Sequence, residues 1–217
     1  MLLEWGDGTT VLVDAGPDFR EQALRHRIGR LDAVWFTHSH ADHTGGVDDL
    51  RPYCFGNRVL PVRALPPVLD EIRQRFGYAF RTDAAPSGVS HPMLSPMPID
   101  GPFEFGGMTI VPLPAEHGPF PVVGFRIGDL AYLTDVSDVP ESTLALMEGV
   151  GTLVLSALRE LPHPTHLSFE QAVGVARRVG ARRTWFTHFA HGRVHAEIER
   201  MLPEGIAPAW DGLVVEG

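Results

Sequence analysis

Metal-binding residue types are concentrated in the segment 37–43. Within six residues the chain places three histidines and one aspartate in the pattern H-x-H-x-D-H, directly after an apolar run. Neutral imidazole and carboxylate oxygen are good ligands for Zn²⁺, Mn²⁺ or Fe²⁺. A strand that runs into a loop can direct His38 and His40 to one side, and Asp42 and His43 to another. The spacing therefore favours two adjacent metal ions over one.

Three more residues of ligand type lie elsewhere in the chain. His117, Asp135 and His188 each come at the close of an apolar or β-branched run. In α/β folds the chemistry is placed at the carboxyl ends of strands. A single histidine or aspartate at such a position is usually a turn or cap residue. Because all three occur together with the H-x-H-x-D-H loop, we interpret them as the remaining ligands of a two-metal site.

The elements that must position these residues alternate along the chain. Short β-branched or aromatic runs bounded by Gly, Pro or Asp predict strands. Apolar positions at helical spacing predict helices, the fourth of them capped by Ser168. Strands interleaved with helices indicate a layered α/β domain. The strands are predicted at Leu2–Trp5, Thr10–Asp14, Leu31–Thr37, Arg58–Val62, Met108–Pro112, Val122–Ile127, Leu130–Thr134, Thr152–Leu155, Arg183–Thr187 and Leu213–Glu216. The helices are predicted at Asp18–Arg27, Pro66–Phe76, Glu141–Gly149, Ser168–Val179 and Val194–Leu202.

The stretch 77–102 departs from this alternation. It contains five of the 19 prolines and little periodicity, so we predict one long loop. A loop of this length in a compact domain is usually functional or disordered. We interpret it as an active-site loop insertion within a single domain of residues 1–217. Phe76, Tyr78 and Phe80 at its start would either form a wall over the site or pack on the core.

The composition narrows the class of protein. A chain of 217 residues at 44% apolar content can bury a full core as one α/β domain. The single cysteine, Cys54, excludes an intramolecular disulfide and a multi-cysteine zinc cluster. There is no run of 18 apolar residues and no secretory signal pattern, so we expect a cytoplasmic enzyme without a membrane span. The net charge of −9 argues against long nucleic acid as a partner.

The ligand pattern carries a family resemblance. The H-x-H-x-D-H loop, the later His117, Asp135 at the end of a strand and the final Thr187-His188 pair resemble the metallo-β-lactamase superfamily. The resemblance covers nearly the whole chain and implies a four-layered αβ/βα sandwich with the site at its edge. Asp14 matches a position whose carboxylate would hydrogen-bond the second ring nitrogen of a ligand.

The resemblance also implies how the metal ligands are shared. Two divalent ions, Zn²⁺ or Mn²⁺ with Fe²⁺ as a further option, would be bridged by Asp135. A bridging aspartate is typical of the phosphodiesterases, thioesterases, lactonases and tRNA 3′-end nucleases of this superfamily, and not of its drug-hydrolysing β-lactamases. The remaining ligands implied are His38, His40 and His117 for one ion, and Asp42, His43 and His188 for the other.

One branch of the superfamily is especially similar. The segments 157–159 and 163–168 resemble the branch that contains phosphoribosyl 1,2-cyclic phosphate phosphodiesterase. In that branch a histidine that is not a ligand assists catalysis, and His166 matches it in context and spacing. We therefore assign catalysis to His166 and Asp42. Hydroxide would attack the phosphorus in line, and His166 would protonate the departing oxygen.

The chain also departs from that branch. Relatives normally begin with an additional strand that precedes the first residue here. If that strand is missing, we expect a bare sheet edge that is covered in a homodimer; the rival explanation is a sequence that starts late. His191 matches a structural-zinc position but has no cysteine trio with it, and we expect no structural zinc. His163 is expected to be an exposed bystander. Arg159 either fixes a phosphate oxygen or faces solvent.

Three functional hypotheses follow. The favoured one is a dinuclear metal-dependent phosphodiesterase that acts on small or cyclic phosphodiesters, because His166 and Arg159 suit phosphate binding. The second is a hydrolase of carboxylic esters, thioesters or lactones that uses the same metal ions. The third is a non-catalytic metal-binding relative in cofactor biosynthesis. In each case the expected partner is a small molecule.

Overall fold

A computed structural model describes residues 1–56, 58–81 and 91–216. The chain separates into two compact units, Met1–Asp100 and Gly101–Gly217, which we call the first and second unit. Each unit contains one β-sheet with helices and has its own apolar core. The predicted mixed α/β class is confirmed, whereas the assignment of residues 1–217 to a single domain stays a prediction.

The first unit is built on a five-stranded sheet in the order β1-β2-β3-β4-β5. Strand β1 is antiparallel to β2, and the other neighbours are parallel. Every residue of β2 and β3 is buried, as expected for parallel strands that are covered on both faces. The strands are β1 (Leu2–Glu4), β2 (Thr10–Val13), β3 (Ala33–Trp35), β4 (Leu60–Ala64) and β5 (Leu94–Pro98). The helices are α1 (Phe19–Arg25), α2 (Ala41–Thr44) and α3 (Pro66–Arg75), with 3-10 helices at Val47–Cys54 and Gly77–Phe80.

The second unit is built on a seven-stranded sheet in the order β12-β11-β10-β9-β8-β7-β6. Strands β6 to β9 form an antiparallel meander, and β9 to β12 are parallel. The strands are β6 (Phe103–Phe105), β7 (Met108–His117), β8 (Phe120–Ile127), β9 (Leu130–Leu133), β10 (Thr152–Ser156), β11 (Arg183–Thr187) and β12 (Ile206–Pro208). The helices are α4 (Glu141–Leu146), α5 (Phe169–Val179) and α6 (His195–Met201).

The direction of the strands decides which strand ends lie side by side in the second unit. Strands β7 and β9 are both antiparallel to β8, so they run in the same direction as each other. Strands β10 and β11 continue in that direction beside β9. The carboxyl ends of β7, β9, β10 and β11 therefore lie along one edge of the sheet, although these strands are far apart in the sequence.

Helix α5 forms where the sequence predicts it. Ser168 caps it in a capping box with Gln171, and Gly180 ends it in the left-handed conformation. Its apolar face buries Phe169 and Ala172 in the core of the second unit. The predicted cap and the helix are confirmed, because local capping and apolar periodicity agree.

The predicted loop over 77–102 is wrong in part. Leu94–Pro98 forms the edge strand β5, which pairs in parallel with β4, and Gly77–Phe80 forms a 3-10 helix. Two prolines lie within β5, and an edge strand tolerates proline because half of its backbone N–H groups have no ladder partner. Phe76 and Phe80 pack against the core of the first unit rather than over a site. Residues 82–90 of the predicted loop lie outside the described residues.

Other corrections concern short elements. Strand β7 extends through His117, so this residue ends the strand instead of following it. Leu213–Glu216 is not a strand, whereas Phe103–Phe105 and Ile206–Pro208 are. Runs of three residues are too short to show an alternating pattern in the sequence. Among the described helices, none is long and apolar enough to cross a bilayer.

Candidate metal centre

The first unit holds its ligand types in one short segment, formed by the loop after β3 and by helix α2. The ring of His38 lies between those of His40 and His43, with centroid distances of 4.6 and 4.2 Å. Helix α2 begins directly after His40 and carries Asp42 and His43. The Thr44 hydroxyl donates to the His40 carbonyl at 2.9 Å and so closes the turn. Four side chains of metal-ligand type are thereby gathered by local structure.

Asp14 supports this loop from the end of β2. One carboxylate oxygen accepts the Thr37 N–H at 2.8 Å, and the other accepts the Thr37 hydroxyl at 2.8 Å. The second oxygen also lies 2.8 Å from Nδ1 of His43. An ionised carboxylate can only accept, so the hydrogen-bond network places the His43 proton on Nδ1 and leaves Nε2 as a lone-pair donor. The hydrogen bond predicted for Asp14 is confirmed.

The tautomer of His38 follows from the same network. The Thr37 hydroxyl uses its proton toward Asp14, so it accepts from Nδ1 of His38 at 3.0 Å. Nε2 of His38 then carries the lone pair, in a ring that is 2% exposed. Both buried imidazoles of the loop thus have the protonation pattern that metal ligation requires.

Close backbone packing holds the loop against the segment that follows β2. The Ala15 N–H donates to the His43 carbonyl at 2.8 Å. A Cβ atom at Gly16 would overlap the Asp42 carbonyl, and one at Gly46 would overlap the Gly16 carbonyl. Only glycine permits this approach. The two chain segments are therefore fixed in one relative position.

Helix α3 contacts the loop from another side. The Ser39 hydroxyl donates to the Glu71 carboxylate, and the Arg75 guanidinium donates to the Ser39 carbonyl. Arg75 and Glu71 also pair with each other at 3.3 Å. Sequence reasoning missed these contacts, because nothing in the sequence relates Ser39 to a helix that starts at Pro66.

Asp135 is the centre of the ligand types in the second unit. It directly follows Thr134, whose hydroxyl donates to its Oδ1 at 2.7 Å, and it is 2% exposed. Oδ1 lies 3.2 Å from Nδ1 of His188, and Oδ2 lies 3.9 Å from Nε2 of His117. Single ligand atoms of His117, Asp135 and His166 all lie within 4.8 Å of one another. Residues from three separate loops and strand ends thus converge on one carboxylate.

His117 has the same tautomer as His38 and His43. Its Nδ1 lies 2.6 Å from the carbonyl oxygen of Thr165, which can only accept. The proton is therefore on Nδ1, and Nε2, the atom nearest Asp135, keeps its lone pair. In both units, buried imidazoles use Nδ1 for a protein partner and leave Nε2 for another one.

Backbone strain is concentrated at these positions. Among the described non-glycine residues, four have positive φ, and three of them are Asp14 (61°), Asp135 (54°) and His188 (62°). Aspartate and histidine enter this region more readily than most residues, but the conformation is uncommon and typical of functional sites. Each of the three comes at the end of a strand, where the turn directs its side chain.

His166 lies among other imidazoles. Its ring stacks on that of His188 at 5.1 Å and 19°, and meets that of His117 edge-on at 4.7 Å. Its Nδ1 is buried, lies 4.0 Å from Asp135 and has no hydrogen-bond partner among the described residues. The pKa of His166 is lowered to about 4, mainly by burial; Asp135 opposes this shift, and the imidazoles of His188, His117 and His163 add to it.

The low pKa of His166 bears on its predicted role. At neutral pH the ring is neutral. It can then donate a hydrogen bond through its one N–H, but it carries no additional proton to transfer as a general acid. A phosphate anion beside it would raise the pKa, whereas neighbouring dications would lower it. Proton donation to a leaving oxygen therefore needs the negative charge that develops on that oxygen.

The other predicted residues have clear positions. Arg159 is exposed and donates to the carbonyls of Leu161 and Pro162 at 3.3 and 3.2 Å, so it binds its own loop. His191 is exposed. The expectation for His163 is wrong, because this residue is half-buried and its ring lies 5.1 Å from that of His166.

Each unit therefore carries imidazole and carboxylate donors of the kind that bind divalent transition metals, at the carboxyl ends of its strands. The arrangement is that of a metal-binding α/β protein. The model of the beta-lactamase superfamily domain matches residues 9–189, and the chain belongs to this superfamily. The predicted family is confirmed.

Relatives of known structure or name add detail. A solved structure described as a new diphosphatase from the PhnP family is 37% identical, with a TM-score of 0.90 over all of this chain and 83% of the other. The octanoyltransferase of Porphyromonas gingivalis is 38% identical over 95% of this chain, which corresponds to only 42% of that protein. The ribonuclease Z of Mycobacterium sp. (strain KMS) is 29% identical over 84% of this chain and 74% of its own.

Proposed function

We propose that this protein is a dinuclear metal-dependent hydrolase that cleaves small or cyclic phosphodiesters. The observation that carries the proposal is the group formed by His117 and Asp135, which are buried, and His166, which is half-buried. In this group Nε2 of His117 lies 3.9 Å from Oδ2 of Asp135, and Nδ1 of His166 has no hydrogen-bond partner among the described residues. Two members suit a metal ion and the third suits a substrate oxygen.

The donor set fits two divalent cations. In this proposal His38, His40 and His117 would hold one ion, and Asp135 would be a ligand shared with the other. When bound, two such ions lower the pKa of a water molecule and polarise a phosphoryl group. The tautomers of three imidazoles support the assignment, since each offers Nε2. The ligands proposed for the second ion are Asp42, His43 and His188.

Two residues act on the substrate in this proposal. Beside a phosphate anion, which raises its pKa, His166 would take up a second proton, and the resulting imidazolium would give that proton to the leaving oxygen as charge develops there. Asp42 has a side chain that is 59% exposed, with one oxygen 3.4 Å from Nε2 of His43. It is the accessible carboxylate of the loop and can take a proton from the attacking water.

A second candidate is the hydrolysis of a diphosphate bond. The likeness to the structure described as a diphosphatase favours it, at 37% identity over the whole chain. Phosphodiesters and diphosphates need the same stabilisation of charge on a phosphoryl group. The difference between them lies in the leaving group.

Ester hydrolysis has weaker support. The relative named octanoyltransferase is matched over only 42% of its length. The activity in its name can therefore belong to the unmatched part of that protein as well as to the matched part. Long RNA is also disfavoured as a substrate by the net charge of −9. The homodimer and the cytoplasmic location stay predictions.

The test combines metal analysis with a substrate panel. Purified protein would be reconstituted with Zn²⁺ or Mn²⁺ and assayed on bis(p-nitrophenyl) phosphate, a cyclic ribose phosphodiester, a nucleoside diphosphate, a thioester and a lactone. We expect two ions per chain and the highest kcat/KM on a phosphodiester. Preference for the diphosphate would select the second candidate. Preference for the thioester or lactone, or no turnover with two ions bound, would overturn the proposal.

A further inference from the structure

We infer that His163 is a positioning residue that acts through Thr165 on the proposed metal ligand His117. The inference rests on the proposed function only in taking His117 as a ligand. It concerns the segment His163-Pro164-Thr165-His166, which we call the HPTH turn. It lies in the second unit, between β10 and α5.

His163 closes the HPTH turn. The Thr165 N–H donates to Nδ1 of His163 at 3.3 Å, and the Thr165 hydroxyl lies 3.2 Å from the same nitrogen. A side chain that accepts from the N–H two residues later is the arrangement of an Asx-turn, made here by an imidazole. Pro164 assists, because it fixes its own φ and keeps the preceding residue extended.

The closed turn directs a backbone carbonyl at His117. The Thr165 carbonyl accepts from Nδ1 of His117 at 2.6 Å, and this bond sets the tautomer of the ring. A backbone carbonyl has no side chain of its own to hold it, so its direction depends on the conformation of its residue. His163 holds the N–H side of that residue.

The other side of Thr165 contacts Gly118, the residue that follows His117. Gly118 has a φ of 59°, and a Cβ there would lie 2.7 Å from Cγ2 of Thr165. The Thr165 methyl group therefore packs directly on the glycine backbone. Thr165 is fixed between His163 and Gly118, and the carbonyl between these two contacts has little freedom to turn from His117.

The HPTH turn also places His166. This residue directly follows Thr165, and its ring lies 5.1 Å from that of His163 and 4.7 Å from that of His117. Ring packing alone is a rival explanation for His163. The two explanations require different properties of residue 163. Ring packing requires a flat ring, whereas positioning requires a hydrogen-bond acceptor.

Two substitutions separate these explanations. His163→Asn keeps an acceptor that can form an Asx-turn but removes the ring, and His163→Phe keeps a ring without an acceptor. Zn²⁺ affinity would be measured by chelator competition. Loss of a direct partner of a ligand costs about 10–100-fold in metal affinity. Because His163 acts one step further away, we expect His163→Phe to weaken Zn²⁺ binding about tenfold, at the low end of that range, and His163→Asn to stay within about twofold of wild type.

A second measurement needs no metal or substrate. In the metal-free protein, ¹⁵N NMR of labelled histidine reports which ring nitrogen of His117 carries the proton. We expect the Nδ1–H form in wild type and His163→Asn, and a mixture of the two tautomers in His163→Phe. Gly118→Ala, which displaces Thr165 from the opposite side, should give a mixture as well. His163→Leu, which also lacks an acceptor, replaces His163→Phe if that variant does not fold.

The outcomes separate this inference from the proposed function. If His117→Ala keeps both ions, the ligand assignment fails, and with it the proposed function. If His117→Ala loses an ion while His163→Phe binds Zn²⁺ as wild type does, only the positioning role is overturned. Weak binding by His163→Asn together with normal binding by His163→Phe would show that the ring packs and does not position.

Discussion

The two units gather their metal-ligand types by different means. In the first unit four candidate ligands lie within six residues on one loop, so local chain geometry brings them together. In the second unit His117, Asp135 and His188 come from the ends of three strands, and the direction of the strands brings them together. Ligand-type residues that are close in sequence can therefore be recognised from their spacing. Ligand-type residues that are far apart in sequence form a cluster only when the sheet has formed.

The supporting contacts differ in the same way. In the first unit one side chain, Asp14, contacts both Thr37 and His43. In the second unit the partner of His117 is the backbone carbonyl of Thr165. A side-chain partner can be removed by one substitution, but a carbonyl can only be displaced. We therefore expect the first unit to be more sensitive to changes in its supporting residues.

The largest effect should come from removing one proposed ligand in each unit. His40→Ala and His117→Ala should each lose a metal ion and lower kcat/KM on bis(p-nitrophenyl) phosphate by about a thousandfold or more. Metal ions supply several kcal/mol of charge stabilisation, and each 1.36 kcal/mol is about tenfold in rate. Elemental analysis after dialysis measures the metal. His26→Ala and His191→Ala, at exposed positions in the two units, are the matched controls. Full metal content in either ligand variant would contradict the assignment for that unit.

A smaller effect is expected from Asp14→Asn. An amide has one acceptor oxygen and would present N–H protons to groups that now donate, so both Thr37 and His43 lose a partner. We expect metal affinity to fall by about 10–100-fold, measured by chelator competition. Asp18→Asn, an exposed position four residues later, should leave it unchanged. An effect no larger than that of His163→Phe would remove the contrast between the units.

His166→Ala should separate chemistry from metal binding in the second unit. We expect turnover of bis(p-nitrophenyl) phosphate to fall by about tenfold or more, since a positioned acid contributes about 10²–10⁴-fold, while two ions per chain remain. Steady-state kinetics and metal analysis on the same sample test this. Because His166 lies close to His117 and Asp135, loss of an ion would instead make it a ligand. Unchanged turnover would remove it from the mechanism.

The smallest effect concerns stability against pH in the metal-free protein. The pKa of His166 is lowered to about 4, mainly by burial, whereas an unfolded histidine titrates near its ordinary value of 6.5. Between these values the unfolded chain binds a proton that folded His166 does not, so the free energy of unfolding falls as the pH drops through this window. The fall is complete below the folded pKa.

His166→Gln removes that proton from the comparison. The melting temperature of the variant should fall less than that of wild type between pH 6.5 and 4, by a few degrees, since about 1 kcal/mol corresponds to about 2–4 °C in a chain of this size. Thermal unfolding followed by circular dichroism at several pH values measures it. Parallel curves for the two proteins would show that His166 is not buried in its neutral form.

Much of the fold follows from local signals. Strand β11 has the predicted bounds Arg183–Thr187, and α5 has its predicted cap at Ser168, because β-branched runs and capping residues act over a few neighbours. Strand β5 was missed, because its prolines are read as breakers unless the strand is known to lie at an edge. An edge position is a property of the whole sheet.

The sequence by itself determined which residue types were available for metal chemistry, and the spacing of H-x-H-x-D-H gathered four of them by chain geometry alone. Only the tertiary structure decided that Asp135 meets His117 and His188. It also decided that Nδ1 of each buried candidate ligand ring has a protein acceptor, and that His163 is half-buried in the HPTH turn. The physical reason is the distance along the chain over which each kind of interaction acts. Spacing and propensity act within one or two turns of chain, whereas the direction of a hydrogen bond between distant segments exists only after strand order and packing have placed both of its ends.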